Sequence, residues 1–563
     1  MSEPTLLSDF GLSHRRSYDY RLVTLILLLV MLVLRLFSSD PVVGISFDEP
    51  KYLALARDFP FHRLYNNELY LMHGPGYPAL IRLGMTVMTD HSAAICVSIV
   101  MSAIAFWAIG RVGKVIRLSG TGVLLARMFL VFQPKFMVIG QEIYKESTMV
   151  ALYALLLGGL MSTVSGSRRG QWLAAAAGGF FALTADQNVP LVLISLGMVR
   201  LAWPHRAPRL GFVPLIPMLA VWIGTVVVRL IWFSSGPFVA IGMDGMPEPA
   251  DQLGLLQAII PNTAPQTSQM VEFDFKENLK YIRDGFFIKY FFVTYELPYR
   301  ADLWHWVLLL LIPLGAVRAC LSGNWRLRRY GIGMSLAAAV LFVVPMLTKP
   351  DERYVLLAVI PMAALIGMNG RWFDGRRMNG RPAWWAIAVC TVLAGAWVFA
   401  SRGNRHFVLG RPLAVEGEVV AEWIKNHETR GIMAQVWYPP ELAYLTDRRV
   451  VGLPDDPELL EESIRHFDIS HIVLGEPLGH RWDWPDRSIV LNSATIDYMH
   501  ARPDAFRQAG YLVQPAGPGY NRVEFLIIEV NRGRLLEQSK AQADREEVPP
   551  RDSAARGLLP ERT

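Results

Sequence analysis

Long apolar blocks separated by short polar connections run from Leu22 to Ala400, and a mixed pattern follows from Ser401 onward. A helix of roughly 20 apolar residues is long enough to cross the core of a bilayer. The pattern therefore predicts an α-helical polytopic membrane protein with about 11 transmembrane helices. We place the spans near residues 22–37, 93–110, 123–140, 148–164, 172–185, 189–201, 212–232, 304–317, 330–347, 354–368 and 384–400. The two short spans that meet at Asp186 could also be one long helix.

Basic residues recur in every second connection between these spans. With the N-terminus inside, the positive-inside rule assigns all of these connections to the cytoplasm. They hold Arg111, Lys114 and Arg117; Arg168 and Arg169; Arg206 and Arg209; Arg326, Arg328 and Arg329; and Arg371, Arg376, Arg377 and Arg381. The alternation predicts a cytoplasmic N-terminus and an extracytoplasmic C-terminal part, and the short inside loops indicate a bacterial inner membrane.

Two of the outer segments are long, namely residues 38–78 and 233–303. The apolar stretch 77–88 follows the first of them, and a membrane crossing there would disturb the alternation of basic connections. We therefore interpret this stretch as a short helix beside or partly within the membrane.

The chain beyond the membrane part predicts a second domain. Residues 1–400 form the transmembrane catalytic domain in this interpretation, and residues 401–533 form a small extracytoplasmic α/β domain. Its helices are expected near 417–427 and 457–467, and its strands near 432–436, 471–474 and 524–530. Residues 534–563 are charged and contain prolines, which is typical of a disordered tail.

Charge and cysteine content narrow the classes of function. The net charge is +6, but the basic residues lie in loops between spans, so the charge indicates topology and predicts no nucleic-acid partner. The three cysteines, Cys96, Cys320 and Cys390, all lie in or beside apolar blocks. We therefore expect no structural disulfide in the outer regions and no zinc site.

Two adjacent carboxylates, Asp48 and Glu49, follow the first span and precede an amphipathic segment. Acidic residues and a proline, here Pro50, are favourable in the first turn of a helix, which explains the pair in purely structural terms. The functional interpretation is that one carboxylate faces a cavity at the membrane surface as a general base or an acceptor-orienting group.

Three further outer segments carry reactive side chains. His73 lies in a turn rich in glycine and proline, Lys145 and Glu146 precede one span, and Lys349 and Arg353 precede another. As structural residues they are a turn residue and interfacial anchors. As functional residues they line one cavity, where an arginine can grip a phosphate with two parallel hydrogen bonds.

The order of these motifs resembles the GT-C superfamily of glycosyltransferases, and more narrowly the family of protein O-mannosyltransferases and the lipid A aminoarabinose transferase. The resemblance covers the membrane region, and the C-terminal α/β domain is similar to those of bacterial members. The matching segments are Asp48-Glu49-Pro50-Lys51-Tyr52, His73-Gly74-Pro75-Gly76-Tyr77-Pro78, Glu146 at the outer start of a span, and Arg353-Tyr354 opening a span that contains Pro361.

This sequence departs from the family pattern in two places. The family often has a basic residue after a Leu-Thr pair in mid-chain, where this chain has Leu183-Thr184-Ala185-Asp186. Lys145 or Lys349 would have to supply the missing contact to the donor phosphate. The first proline of the family's His-Pro-Pro turn is Gly74 here.

The resemblance implies a donor sugar carried on a polyprenyl phosphate, which enters from the membrane lipid, and a glycan, lipid or protein acceptor. It implies that Asp48, assisted by Glu49, orients or deprotonates the acceptor hydroxyl, which attacks the anomeric carbon with inversion. Arg353, with Lys145 and Lys349, would hold the leaving phosphate. The supporting residues would be Lys51, Tyr52, His73, Tyr77, Glu146 and Tyr354. Clustered carboxylates can bind a divalent metal, but we predict no metal and no cofactor.

Two other classes of function fit a polytopic membrane protein. A transporter or lipid flippase usually shows internal repeats and charges at mid-membrane, whereas this sequence has no repeat and its candidate charges lie at the outer ends of spans. A non-catalytic membrane subunit could present the C-terminal domain to a partner, but it would give Asp48 and Arg353 no shared purpose.

Overall fold

In the computed structural model the chain forms two units. The structure describes residues 7–38, 43–44, 49–59, 73–163, 166–202, 210–235, 239–241, 247–249, 303–348, 355–372, 377–378, 381–400, 406–409, 413–414, 417–435, 439–454, 456–475, 493–515, 523–535 and 537. The membrane unit comprises Met1–His62, Asn66–Ser235 and Leu253–Ala414. The C-terminal unit comprises Arg63–Tyr65, Gly236–Gln252 and Val415–Thr563.

The membrane unit is a bundle of apolar helices. Its helices are α1 (Leu7–Leu36), α2 (Glu49–Arg57), α3 (Gly76–Gly84), α4 (Asp90–Val115), α5 (Gly120–Phe132), α6 (Pro134–Ile139), α7 (Glu146–Thr163), α8 (Arg168–Ala185), α9 (Val189–Leu201), α10 (Ile216–Ser235), α11 (Leu303–Leu321), α12 (Trp325–Thr348), α13 (Val359–Gly367) and α14 (Ala383–Ala400). Short 3-10 turns lie at Asp186–Asn188, Leu210–Leu215, Leu356–Ala358 and Met368–Trp372. Short strand pairs join β1 (Phe37–Ser38) to β7 (His406–Phe407), β2 (Val43–Gly44) to β8 (Leu413–Ala414), and β5 (Arg377–Met378) to β6 (Arg381–Pro382).

Several described helices have the length and composition of transmembrane spans. Within the described ranges, four helical stretches meet both criteria, namely Asp90–Val115, Glu146–Thr163, Arg168–Leu201 and Trp325–Pro345. Five shorter apolar helices accompany them. The short helix expected from residue 77 onward is α3, whose 9 residues are too few to cross a bilayer. The total of eleven spans and the domain boundary at residue 400 stay predictions.

The helices are interrupted at two places in the predicted pattern of spans. The span expected at 123–140 ends at Phe132 and restarts at Pro134, because proline has no N–H to continue the helical hydrogen bonds. The pair around Asp186 is broken at Ala185, whose φ of −149° and ψ of 53° are not helical. Together α8 and α9 run over 34 residues, well beyond the roughly 20 that one crossing needs.

Polar side chains in the connections start several of these helices. Thr89, Ser119 and Ser167 each accept a hydrogen bond from a backbone N–H in the first turn of α4, α5 and α8. These caps satisfy donors that the helix itself leaves without partners. They also explain why the helices begin in the polar connections that the sequence pattern shows.

The C-terminal unit contains a five-stranded mixed sheet with helices beside it. The strands run in the order β10 (Val450–Gly452), β9 (Gly431–Gln435), β11 (Ile469–Gly475), β13 (Val523–Val530) and β12 (Phe506–Gln514), where β10, β9 and β11 are parallel. The helices are α15 (Glu418–Lys425), α16 (Pro439–Thr446), α17 (Pro457–His466) and α18 (Ser493–His500), and a short pair joins β3 (Val239–Ile241) to β4 (Pro247–Pro249). Each of the five elements expected here from the sequence is present, whereas β10, β12, α16 and α18 were not anticipated.

Candidate functional site

A set of buried aromatic side chains links α2 to the turn before α3. The ring of Tyr52, on α2, meets His73 edge to face at a centroid distance of 5.7 Å and Tyr77 at 5.1 Å. All three residues are buried. Edge-to-face packing of this kind is a preferred arrangement of aromatic rings, so the predicted supporting residues Tyr52, His73 and Tyr77 form one cluster.

The hydroxyl of Tyr77 connects this cluster to the segment that precedes α7. It lies 3.4 Å from Ser98 Oγ on α4, and Ser98 Oγ donates to the Glu142 carbonyl oxygen at 3.0 Å. Glu142 belongs to the short segment that ends at Lys145 and Glu146. The structure therefore brings two motifs that are about 70 residues apart in the sequence to one end of the bundle.

The turn before α3 lies against the C-terminal end of α8. A Cβ atom placed on Gly74 would stand 2.2 Å from the Leu183 carbonyl oxygen, and one on Gly76 would stand 2.4 Å from Thr184 Oγ1. Only glycine permits so close an approach of two backbones. The Leu183-Thr184-Ala185-Asp186 segment, where the sequence departs from the family pattern, thus borders the His73 turn.

Several charged side chains are buried at helix ends among the described residues of this region. Lys51, Lys145, Glu146 and Asp186 are 1%, 6%, 4% and 2% exposed. An anchoring lysine would extend its amine to water, so the burial of Lys145 does not fit an interfacial anchor. Buried charges are costly unless they are paired or hydrogen-bonded, and such groups mark candidate functional sites.

An ion pair fastens the C-terminal end of α2 to the start of α4. Arg57 Nε and Nη2 lie 2.8 Å and 2.7 Å from Asp90 Oδ2. Arg82, on α3, donates to the Arg57 carbonyl oxygen at 3.2 Å. The three helices around the aromatic cluster are therefore tied together on their exposed side as well.

Sequence reasoning missed the fully buried Arg35 in the last turn of α1. Its Nη2 lies 3.4 Å from the Leu130 carbonyl oxygen and 3.5 Å from that of Phe136, and its guanidinium stands 5.0 Å from the Phe136 ring centroid. Leu130 O would be the acceptor for a helical N–H at Pro134, which proline lacks. The available signal was a lone arginine inside an apolar span, which is uncommon and usually has a role.

Gln141 makes the reciprocal contact. Its Nε2 donates to the carbonyl oxygens of Leu34 and Phe37 at the end of α1. Arg35 and Gln141 together form what we call the α1 clamp, which holds the end of α1 against the segment leading to Lys145. Gly140 makes room for it, because a Cβ atom there would stand 2.8 Å from Arg35 Nε.

The predicted residues Asp48, Lys349, Arg353 and Tyr354 lie outside the described residues. Glu49 is the first residue of α2, so Asp48 directly precedes that helix in the chain. Arg353 and Tyr354 directly precede buried Val355 and the 3-10 turn at Leu356–Ala358, which packs against α7.

In the described segments, no group of three or more His, Cys, Asp or Glu side chains is placed to hold a metal ion. The described cluster therefore offers buried cations, carboxylates and aromatic rings as its chemical groups.

Comparison with known proteins gives a match in structure. No protein-family model and no curated protein matches the sequence. ArnT from Cupriavidus metallidurans, in a crystal structure bound to undecaprenyl phosphate, matches with a TM-score of 0.51 and 13% identity, over 90% of this chain and 97% of that chain. The same protein in the apo state gives a TM-score of 0.47 and 13% identity, over 92% and 99% of the two chains.

The match over nearly the whole of both chains confirms the predicted resemblance to the lipid A aminoarabinose transferase at the level of the fold. The chain is an integral membrane protein with an ArnT-like fold.

Proposed function

We propose that this protein is an inverting membrane glycosyltransferase, which transfers a sugar from a polyprenyl-phosphate carrier to an acceptor on the extracytoplasmic face. The main support is the set of buried charges Lys51, Lys145, Glu146 and Asp186 beside the Tyr52, His73 and Tyr77 cluster. The ArnT-like fold adds to it, because that protein was crystallised with undecaprenyl phosphate.

The negative charge of the leaving group gives the positively charged side chains of the site a role. When the acceptor hydroxyl attacks the anomeric carbon, the bond from that carbon to the phosphate oxygen breaks, and the polyprenyl phosphate departs with the electron pair. Preorganised positive groups stabilise such developing charge most effectively in a site that excludes water. We assign this role to Arg353, Lys145 and Lys349, of which Lys145 is buried directly before α7.

The acceptor needs a base. A carboxylate next to the hydroxyl can take up its proton as the new glycosidic bond forms. We assign this role to Asp48, with Glu49 beside it at the start of α2. The aromatic cluster next to α2 would hold this helix in place and shape the sugar pocket.

The membrane setting fits the same chemistry. Each CH₂ of an isoprenoid chain gains roughly 0.8 kcal/mol from burial in the bilayer, so a long lipid carrier does not leave it for a soluble enzyme. A site at the end of a helix bundle allows the chain to stay in the membrane while the phosphate reaches the surface.

A transporter is the competing class, and among the described residues Arg127, within α5, is one arginine to weigh for it. Its Nη1 donates to Thr24 Oγ1 at 2.9 Å and to Tyr20 OH at 3.4 Å, and its Nε donates to the Phe106 carbonyl oxygen at 3.4 Å. A guanidinium held by three groups on α1 and α4 fastens helices together, which is a structural task. The transferase proposal is therefore the better supported one.

The test is transfer of labelled sugar in membranes that contain the native protein, Asp48→Asn or Asp58→Asn. The donors are polyprenyl-phosphate-linked sugars, and the control makes the same isosteric change ten residues along the chain. We expect transfer by the native protein and by Asp58→Asn, and its loss in Asp48→Asn at equal expression. Survival of transfer in Asp48→Asn would overturn the assignment of the base, and no transfer by the native protein from any donor would overturn the proposed class.

A further inference from the structure

A cluster of arginines lies at the hairpin between α11 and α12, at the bundle end away from the His73 turn. Arg318 is in the last turn of α11, Arg326, Arg328 and Arg329 are at the start of α12, and Arg371 is at the end of the turn after α13. Arg326, Arg328 and Arg371 are exposed. We call these five residues the arginine cluster.

The cluster is not neutralised by its own helices. Residues 303–348 and 355–372 contain no aspartate or glutamate. Among the described residues, none of Arg318, Arg326, Arg328 and Arg371 has a carboxylate within ion-pair distance. So concentrated a positive charge attracts anions, and the attraction is strongest where water is partly excluded.

Tryptophans fix several of these guanidinium groups in place. Arg318 lies 4.4 Å from the Trp372 ring centroid, and Arg326 and Arg329 lie 5.5 Å and 5.4 Å from that of Trp325. Both tryptophans are themselves exposed. Tryptophan is enriched at the depth of the lipid headgroups, which is the depth at which these arginines would meet a lipid phosphate.

The hairpin turn itself is well ordered by hydrogen bonds. Asn324 Oδ1 accepts from the backbone N–H of Arg326 at 3.1 Å, and Arg328 Nη2 donates to the Ser322 carbonyl oxygen at 3.1 Å. The two helices also approach closely, because a Cβ atom on Gly331 would stand 2.2 Å from Ala319 Cβ. These contacts hold the ends of the two helices that carry the cluster close together.

An apolar surface continues from the cluster along α11. Exposed side chains recur at the three- to four-residue spacing of one helix face, and their exposed fractions are 66%, 39%, 52% and 79% for Leu310, Leu314, Val317 and Leu321. Acyl chains can lie along such a stripe while a charged headgroup meets the arginines. A soluble anion or an acidic peptide would use the charges but leave the stripe without a purpose.

We propose that the arginine cluster is a binding site for an anionic phospholipid of the membrane, separate from the site of sugar transfer. The headgroup phosphate would be held by Arg326 and Arg371, with Arg318, Arg328 and Arg329 around it. Basic pockets next to transmembrane helices recognise acidic lipids in this way. Lipid binding at this cluster does not depend on the proposed sugar transfer.

The test is native mass spectrometry of the purified full-length protein in detergent, titrated with phosphatidylglycerol or phosphatidylcholine. The variant is Arg326→Gln with Arg371→Gln, two exposed residues whose guanidinium groups make no hydrogen bond within the described part of the chain. The control is Arg168→Gln with Arg169→Gln, which removes the same charge from two exposed arginines on another connection. Each arginine near a lipid surface strengthens the binding of an acidic lipid. Because the variant lacks two of them, we expect its phosphatidylglycerol binding to be about tenfold weaker.

We expect the control to bind within about twofold of the native protein, since it keeps the whole cluster. Phosphatidylcholine should bind weakly to every form, and an excess of inorganic phosphate should not displace phosphatidylglycerol. Equal binding by variant and native protein, equal losses in variant and control, or equal binding of the two lipids would overturn the proposal. Displacement by inorganic phosphate would do so too, because it would identify a simple anion site.

Discussion

Gly74 lies so close to Leu183 that a Cβ atom on the glycine would stand 2.2 Å from the leucine's carbonyl oxygen. This contact joins the turn that carries His73 to the break between α8 and α9. Both partners are backbone, so neither side can rotate away. The geometry of the candidate site at this point depends on the absence of one methyl group.

We therefore expect Gly74→Ala to impair both stability and sugar transfer. Forcing an extra methyl into a packed region costs about 1–3 kcal/mol, and the only relief is a shift of α3 from α8. Thermal unfolding and the transfer assay would measure the two effects. Gly197→Ala is the matched control, because nothing lies within 4 Å of a Cβ there, and it should leave both unchanged or raise stability slightly.

The Tyr77 hydroxyl should contribute to stability through its link to the segment before α7. Tyr77→Phe removes the contact to Ser98 Oγ, and Ser98→Ala removes that contact and the bond to Glu142 O. A buried hydrogen bond contributes about 1 kcal/mol, so Tyr77→Phe should lower stability by about 1 kcal/mol and Ser98→Ala, which removes two bonds, by about 2 kcal/mol. In a double-mutant cycle the effects of the two changes should be less than additive, whereas full additivity would show that the two hydroxyls do not interact.

Lys145→Gln should both weaken donor binding and slow turnover, because the phosphate is charged in the bound donor and gains charge as it leaves. A hydrogen bond to a charged group contributes about 1.5–3 kcal/mol, so we expect the KM for the lipid donor to rise roughly tenfold or more. Lys114→Gln, an exposed lysine on α4, makes the same chemical change elsewhere and should leave KM unaltered. An unchanged KM in Lys145→Gln would remove this lysine from the phosphate site.

The α1 clamp predicts that stability lost by one substitution can be partly restored by a second. Arg35→Met leaves Leu130 O without its buried donor, and such a loss costs about 1–3 kcal/mol. Pro134→Ala restores a backbone N–H that can bond to the same oxygen. The double variant should therefore melt at a higher temperature than Arg35→Met alone, and a lower melting temperature would contradict this account of the helix break.

The C-terminal unit should lose stability below neutral pH. Burial lowers the pKa of His471 below its usual value, and the charge of His427 acts in the same direction, while Glu529 opposes them. The unfolded chain then binds more protons than the folded one as the pH falls below about 6.5. The contribution of neutral His471 to stability is therefore fully present above that pH and declines below it.

Melting curves of the full chain at pH 7.5 and 5.5 would measure this decline. His471→Gln should reduce the difference between the two pH values, because it removes the titrating group that contacts Ser470 and Trp423. His466, whose pKa is also lowered, mainly by burial, would account for a remaining difference. An undiminished difference in His471→Gln would show that His471 does not cause it.

Local patterns were sufficient to predict much of the fold. Apolar blocks and basic connections indicated the helices, and the β-branched and apolar run at 524–530 indicated a strand, which is present as Val523–Val530. The strand β12 was missed because Arg507, Gln508 and Ala509 are all exposed and give no alternation. Its pairing with β13, which no local pattern expresses, fixes it as a strand.

The candidate site was harder to predict than the fold. Each motif near His73, Lys145 and Asp186 could be seen in the sequence, but their proximity follows from the packing of α3, α4, α7 and α8. Gln141 showed no signal, because a glutamine in a polar connection is ordinary until its carbonyl partners on α1 are known. The roles of Asp48 and Arg353 stay predictions.

The burial of Arg35 also has a consequence for the insertion of the first helix into the membrane during synthesis. Its two carbonyl partners come 95 and 101 residues later in the chain, which at about 5–20 residues per second is a delay of roughly 5–20 s during synthesis. Throughout this interval the guanidinium is solvated only if the end of α1 stays at the water boundary. We therefore expect the first helix to take its final depth only after Pro134 and Phe136 have emerged and the α1 clamp can close. A nascent chain halted before that point would hold its first helix in a shallower, provisional position.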